Sequence, residues 1–466
     1  MESPSAQRIA ARDVLAFAAV CLAPLTAAMS LGFTSPALTT MTGEAAGLPP
    51  AEAVPPGLLV FHGGEDSEAA SWFSALVNLG ALLGALGGGY LRQEAGLPAV
   101  LRAAAVFVGG GMALVAIGNS EAELCLARVV VGLGVGLQSI SAPALIAELA
   151  PPRLRGVLGT FNSMAILLGV LIAFLFGGLV FRAGSEGQFC NWRRLAYFIS
   201  LMSAALLVGS FALRPAQRDR SPTEVASTQV PLLQQLKTHR KLFLAGLVPM
   251  VWQQLSGINS VVFFGQTLLA DAGIQNHNAI GATVLLVQLL GVTCIAAPLV
   301  ERVGRRPLLV VSALGMSLGG AALAFCLQYL HGSWLAVIAL YAYVLAFAVG
   351  LGPVPWLLLP ELGLPLRVRI AAASLATAAN WGCSFLVTGP PNLALERACG
   401  TAGSYLVLSL SCLLGAVLMW LVVPETRFLQ SEVTGRFRLE CQDQPDLAER
   451  SSVSNGQTAS FSVSRS

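Results

Sequence analysis

The chain has 466 residues, 55% of them hydrophobic and only 11% charged, with a mean hydropathy of +0.72. A soluble domain carries about 25% charged residues, so this composition excludes a soluble globular protein and indicates a polytopic membrane protein. The net charge of +3 gives no reason to expect nucleic acid, and the nine cysteines form no CxxC pair or metal-ligand spacing, so neither metal nor cofactor is expected.

A spanning helix needs roughly 20 mostly apolar residues. The sequence predicts twelve spans: 13–33, 70–91, 98–118, 122–147, 156–181, 192–213, 241–271, 278–300, 306–330, 334–360, 368–390 and 403–423. The first begins near Asp13 and has no small-residue cleavage site at its end, so it reads as a span rather than a leader. The expected fold is all-α, with twelve transmembrane helices in two pseudo-symmetric six-helix bundles. Residues 1–12 precede the first bundle (13–213), a polar linker (214–240) joins it to the second (241–424), and a tail follows (425–466). The tail cannot bury a core and is expected to be largely disordered.

Basic residues assign the faces. Arg8, Arg12, Arg92, Arg102, Arg153, Arg155, Arg214, Arg218, Arg220, Lys237, Arg240, Lys241, Arg302, Arg305, Arg306, Arg367 and Arg369 all fall on one side of this span map. Residues 34–68, on the other side, contain no Lys or Arg. The bias puts both termini in the cytoplasm; the plasma membrane and an internal membrane both remain open.

A repeat is written in charges near the end of the fourth span of each half. The first copy is GLGVGLQSISAPALIAELAPPRLRG (132–156) and the second GLGPVPWLLLPELGLPLRVRI (350–370). Glu148 precedes Arg153 and Arg155, and Glu361 precedes Arg367 and Arg369. A repeated six-helix unit is the mark of a transporter with its site between the halves at mid-membrane. Glu148 and Glu361 lie at cytoplasmic helix ends beside basic residues, and Arg–carboxylate pairs there would lock the two bundles together. Exposed pairs are worth about 1 kcal/mol or less, which suits a gate that must open. Ordinary helix-end charge compensation is the competing reading.

The seventh span carries the strongest site signal, VWQQLSGINSVVFFGQT (251–267). Gln253, Gln254, Ser256, Asn259 and Gln266 sit in hydrophobic surroundings. A polar group in hydrocarbon without a partner is costly, so such groups face a cavity or another helix. Amides both donate and accept, which suits a hydroxyl-rich ligand.

Several strings resemble the sugar-porter branch of the major facilitator superfamily, most of all the facilitative hexose transporters. They are ASWF (70–73), GLGVGL (132–137), AEL (147–149), RGVLGT (155–160), QQLSGIN (253–259), ERVGRR (301–306), GPVPW (352–356), PEL (360–362), NW (380–381) and PET (424–426). The resemblance implies that Gln253, Gln254 and Asn259 bind a sugar, that Trp356 lines its cavity and that Asn380 and Trp381 lie near it. A Trp face can stack on a pyranose while amides read its edges. The fifth-span sugar-binding Gln aligns with Ser163, beside Asn162, and an eighth-span amide is present as Gln288. Glu301, Arg305 and Arg306 of ERVGRR join Glu148, Arg153, Arg155, Glu361, Arg367 and Arg369 as expected gating residues. Trp252 reads as structural.

Proton-coupled relatives carry an Asp in the first span paired with an Arg in the fourth. Here the Arg is Arg128 and the aligned first-span residue is Ser30. A guanidinium does not deprotonate in proteins, so Arg128 alone cannot sense protons. The expected function is facilitative uniport of a monosaccharide, a hexose, by alternating access. A non-transporting sensor, a carrier of a polyol or other solute, and a proton symporter are the alternatives. The residues supply no nucleophile–base set or phosphate loop for an enzyme. Expected partners are the sugar and the lipid bilayer. Cys190 and Cys399, in outward-facing loops of the two halves, could in principle pair, with free thiols the preferred reading.

Overall fold

Apolar runs that cannot satisfy their backbone from lipid must close their hydrogen bonds internally, and these runs do so as helices. In a computed structural model, residues 11–42, 57–58, 60–61, 68–149, 155–183, 189–213, 231–271, 273 and 277–425 are described. The expected disordered tail beyond 425, most of the linker, and Arg153 lie outside them, as do the side chains of Arg155 and Glu301.

The first half comprises α1 (Ala11–Gly32), α2 (Thr34–Thr42), α3 (Glu68–Ala95), α4 (Leu97–Ile117), α5 (Glu121–Leu149), α6 (Arg155–Leu175) and, after a short hairpin, α7 (Trp192–Ser210). The hairpin pairs β1 (Arg182–Ala183) with β2 (Phe189–Cys190), antiparallel, with Arg182 opposite Cys190. The first span is longer than expected: α2 continues α1 into the stretch read as loop, up to Thr42. Two of the GLGVGL glycines, Gly132 and Gly136, bring α5 against α3, and Gly134 brings it against Val108 of α4. A Cβ added at Gly132 would sit 2.2 Å from the Val77 carbonyl oxygen, and one at Gly136 2.1 Å from that of Ala81. Small residues permit such close packing in lipid.

The second half begins with α8 (Leu232–Thr238), inside the segment read as linker, then α9 (Arg240–Leu255), α10 (Ile258–Asp271), α11 (His277–Leu290) and α12 (Ala297–Val303). It continues with α13 (Arg305–Tyr329), α14 (Trp334–Val349), α15 (Val354–Glu361), α16 (Leu366–Thr388) and α17 (Pro390–Val422). Two spans are broken. Gly257, at φ 85°, separates α9 from α10. The Gly350–Pro353 segment separates α14 from α15, as the prolines beside Trp356 lead one to expect. Trp252 is structural: its Nε1 donates to the Ser411 carbonyl at 2.9 Å and its ring lies where a Cβ at Gly415 would be.

Among the described residues, ten helical segments are long and apolar enough to cross a membrane. The other two expected spans fall short for local reasons. α7 opens with Arg193 and Arg194, and the seventh span is cut by Gly257 into helices of 16 and 14 residues. Cys190 and Cys399 are both free thiols, the first buried and the second exposed. Burial pushes the Cys190 thiol up to about 12.

The halves meet along two seams. On one, α3 packs on α16, and Asn78 Nδ2 donates to Thr388 Oγ1 at 2.7 Å. Phe73 and Phe33 of the first half share a buried cluster with Phe263, Ala378 and Trp381 of the second. On the other, Leu167 of α6 packs with Val292 and Ala348. Between the seams lies a cavity.

Candidate functional site

The cavity contains about 1020 Å³ of non-atom space, counted out to its open mouth. Every expected substrate residue lines it: Ser163 from the first half, and Gln253, Gln254, Asn259, Gln288, Trp356, Asn380 and Trp381 from the second. Asn162 lines it too. Apolar walls with a few convergent amides are the composition of a small-molecule site.

The helix breaks arrange the amides. Interrupting α14 before α15 frees backbone carbonyls, and Gln253 takes two of them. Its Nε2 donates to Leu351 O at 2.7 Å and Gly352 O at 2.9 Å. A carbonyl only accepts, so the orientation of this amide is fixed, with Oε1 as the acceptor. Asn380 Nδ2 then donates to Gln253 Oε1 at 2.9 Å and to Met250 O at 2.7 Å. That leaves Asn380 Oδ1 to accept from Gln254 Nε2 at 3.1 Å. Both amide hydrogens of Gln253 and both of Asn380 are thus consumed inside the protein. Gln254 differs: its Oε1 is buried and has no hydrogen-bond partner among the described residues. Asn259 Nδ2 donates to Ser384 Oγ at 2.7 Å. The break at Gly257 is satisfied locally, since the Tyr343 hydroxyl donates to the Ser256 carbonyl.

The first half contributes residues that the sequence reading passed over. Gln138 and Ser139, inside the repeat string on α5, line the cavity. Trp381 Nε1 donates to Ser139 Oγ at 3.3 Å, a hydrogen bond between the halves. Gln138 is 1% exposed, and its Nε2 donates to Thr26 Oγ1 at 3.2 Å. The available signal was a lone amide in an otherwise small and apolar stretch.

The expected gate residues divide. Arg305 Nε and Nη2 donate to Glu361 Oε2 and Oε1 at 2.9 and 2.8 Å, and Nη1 to Val300 O at 3.0 Å. This clamp ties α13 to α15 within one half. The reason is local: the turn at Gly304, φ 103°, starts α13 with Arg305 beside the end of α15. Arg306 stacks on Trp420, its guanidinium 4.1 Å from the ring centroid, again within the half. Glu148 lies 3.6 Å from Arg92, also of its own half, but Arg369 of the other half acts on it electrostatically. Arg128, fully buried, donates to Ser30 O at 2.9 Å, Thr34 Oγ1 at 2.6 Å and Phe73 O at 3.3 Å.

Comparison with known proteins fits this arrangement. The family described as Sugar (and other) transporter matches residues 50–218 and 214–435. Sugar transporter ERD6-like 6 of Arabidopsis thaliana is 32% identical over 402 residues, 77% of this chain and 80% of its own length. The chain belongs to the sugar transporter family. As a member of that family it is a multi-pass membrane transporter, not an enzyme. It is also 30% identical to the facilitated glucose transporter member 8 of solute carrier family 2 from Bos taurus, over 89% of this chain and 92% of that one. A solved structure of the proton:xylose symporter XylE bound to 6-bromo-6-deoxy-D-glucose superposes with a TM-score of 0.70, covering 89% of this chain and 97% of that chain at 24% identity. That likeness concerns the fold, which is the two-bundle major facilitator architecture.

Proposed function

We propose that this sugar transporter is a facilitative uniporter of a monosaccharide, a hexose, working by alternating access with both termini in the cytoplasm. The observation that carries the reading is the amide-lined cavity between the halves. Gln254, Asn259, Gln288 and Ser163 meet the hydroxyls, Trp356 offers a flat apolar face, and Gln253 and Asn380 hold Gln254 in place. Net flux follows the sugar gradient, because Arg128 is held by two carbonyls and a hydroxyl, none of which exchanges a proton at physiological pH. The relative named as a facilitated glucose transporter supports the choice of a hexose.

Alternating access requires states that differ by only a few kcal/mol. Glu148, between Arg92 of its own half and Arg369 of the other, suits a weak cytoplasmic latch: a half-exposed carboxylate pairs at about 1 kcal/mol or less. Uptake and counterflow of radiolabelled hexoses in proteoliposomes test the reading. Saturable uptake that stops at equal concentrations is expected. Binding without flux would make the protein a sensor, and accumulation driven by an inward proton gradient would make it a symporter.

A further inference from the structure

Among the described residues, two that line the cavity have a buried amide oxygen without a donor, one in each half: Gln254 Oε1 and Gln138 Oε1. Gln138 belongs to no string that carries the family resemblance as a sugar contact, and its amide nitrogen faces Thr26. Thr26 has one hydroxyl hydrogen, which it donates to Ala23 O at 3.0 Å. Its oxygen is therefore an acceptor toward Gln138 Nε2, 3.2 Å away. The Gln138 amide nitrogen is tied back to α1, and its buried oxygen, on a residue that lines the cavity, has no partner among the described residues. A buried acceptor without a donor costs about 1–3 kcal/mol, so this oxygen gains from a ligand that brings a hydroxyl hydrogen.

We infer that Gln138 is a specificity-determining residue that accepts a hydrogen bond from one hydroxyl of the transported solute, replacing from the fourth span the amide that Ser163 lacks in the fifth. This inference rests on the transport reading above and deepens it. Gln254 makes the equivalent contact from the second half. A solute that donates to both oxygens bridges the two halves, and its binding favours the state in which they close around it. The pair also sets the chemical class. Two bare acceptors select a neutral solute with at least two hydroxyl donors and repel a carboxylate.

Purified protein in proteoliposomes is given tritiated D-glucose, trehalose and D-sorbitol. Monodeoxy and deoxyfluoro analogues of the fastest of these follow; fluorine keeps the shape of the hydroxyl but cannot donate. For the wild type, replacing one particular hydroxyl should raise KM about 3- to 10-fold. In Gln138→Leu the same analogue and its parent should have equal KM, while the penalty at the hydroxyl read by Gln254 persists. Gln138→Met, also of similar size, serves where the Leu variant does not fold. If every analogue penalty seen in the wild type survives in the Gln138 variants, the assignment of Gln138 is wrong and the transport reading stands. If the wild type takes up none of the probes, the transport reading falls and Gln138 with it.

Discussion

Gln254 and Asn380, on different spans, share a hydrogen bond of 3.1 Å that ends a chain of amides anchored on the carbonyls of a broken helix. The chain runs from Leu351 O and Gly352 O through Gln253 to Asn380 and then to Gln254. Each orientation follows from the one before, so Gln254 presents a fixed edge without spending its own acceptor.

Neighbouring glutamines should therefore fail in different ways. Gln254→Ala removes a ligand contact and leaves the chain intact up to Asn380. It should raise KM about 10-fold or more, with the melting temperature moving by only about a degree or two. Gln253→Ala leaves Leu351 O, Gly352 O and one Asn380 hydrogen unpaired. Interhelical hydrogen bonds in membranes are worth about 0.6–2 kcal/mol each, so this variant should lose several degrees of melting temperature and most of its transport rate. Thermal-shift and uptake measurements on the same preparations separate the two. Equal melting temperatures would show that Gln253 does not hold the broken helix.

Gly257 offers a backbone test. Its φ of 85° lies where an L side chain is strained, and an added Cβ would sit 2.5 Å from Leu408 Cδ1. A left-handed conformation costs a non-glycine residue roughly 1–2 kcal/mol. Gly257→Ala should lower the recovery of folded protein and shift Gln254 away from Asn380. Gly257→Ala with Leu408→Ala relieves the clash but not the strain, so recovery should improve only in part. Full recovery of wild-type uptake by the double variant would mean that the clash alone mattered.

These two tests mark what the sequence could and could not tell. Polar residues stranded in the apolar seventh span pointed to the cavity wall and the prolines beside Trp356 to one helix break, while the break at Gly257 falls inside a stretch expected to be one continuous span. Hidden from a linear reading was how each amide spends its hydrogens. Gln253 spends both amide hydrogens on Leu351 O and Gly352 O beside the break of another span, and Asn380 spends its own on Gln253 Oε1 and Met250 O. Gln138 was overlooked because its string doubles as a repeat signature and its meaning depends on Thr26, 112 positions away. For Glu361 and Arg305, charge was legible, but their meeting beside the turn at Gly304 was not, because they lie 56 positions apart.

The two described ion pairs should differ sharply in weight. The Arg305 and Glu361 side chains are 3% and 12% exposed and joined by two hydrogen bonds. Removing one partner of a buried pair costs about 3–5 kcal/mol because the other charge is stranded. Glu361→Gln should therefore destabilise the second half visibly in thermal unfolding. Glu148 is 50% exposed and 3.6 Å from Arg92, so Glu148→Gln should change stability by about 1 kcal/mol or less. Its effect should fall instead on kinetics. Losing the attraction to Arg369 across the halves should favour the cytoplasm-open state and change the ratio of influx to efflux KM. Reversing Arg369→Glu should exaggerate that change. An unchanged ratio in both variants would remove Glu148 from the latch.

A last test concerns protons. Arg128 is completely buried; among the described residues it touches Ser30 O, Thr34 Oγ1, Phe73 O and the Phe73 ring, whose centroid lies 5.1 Å away, and the Cys125 thiol acts on it electrostatically. Carbonyls and hydroxyls spread the charge without titrating near neutrality, and the guanidinium keeps its proton. Among the described residues that act on Arg128 there is then no carboxylate or imidazole for a proton gradient to act on. Uptake should be the same at symmetric acidic and alkaline pH within about one unit of neutrality, and an inward gradient should neither speed it nor drive accumulation. Ser30→Asp adds a titratable carboxylate to the residue whose carbonyl already touches Arg128 at 2.9 Å. Protonation would weaken the new pair and deprotonation would strengthen it, so the variant should transport faster on the acidic side than on the alkaline side. Wild-type accumulation of sugar against its own gradient under acid-outside conditions would place the coupling group elsewhere and end the uniport reading.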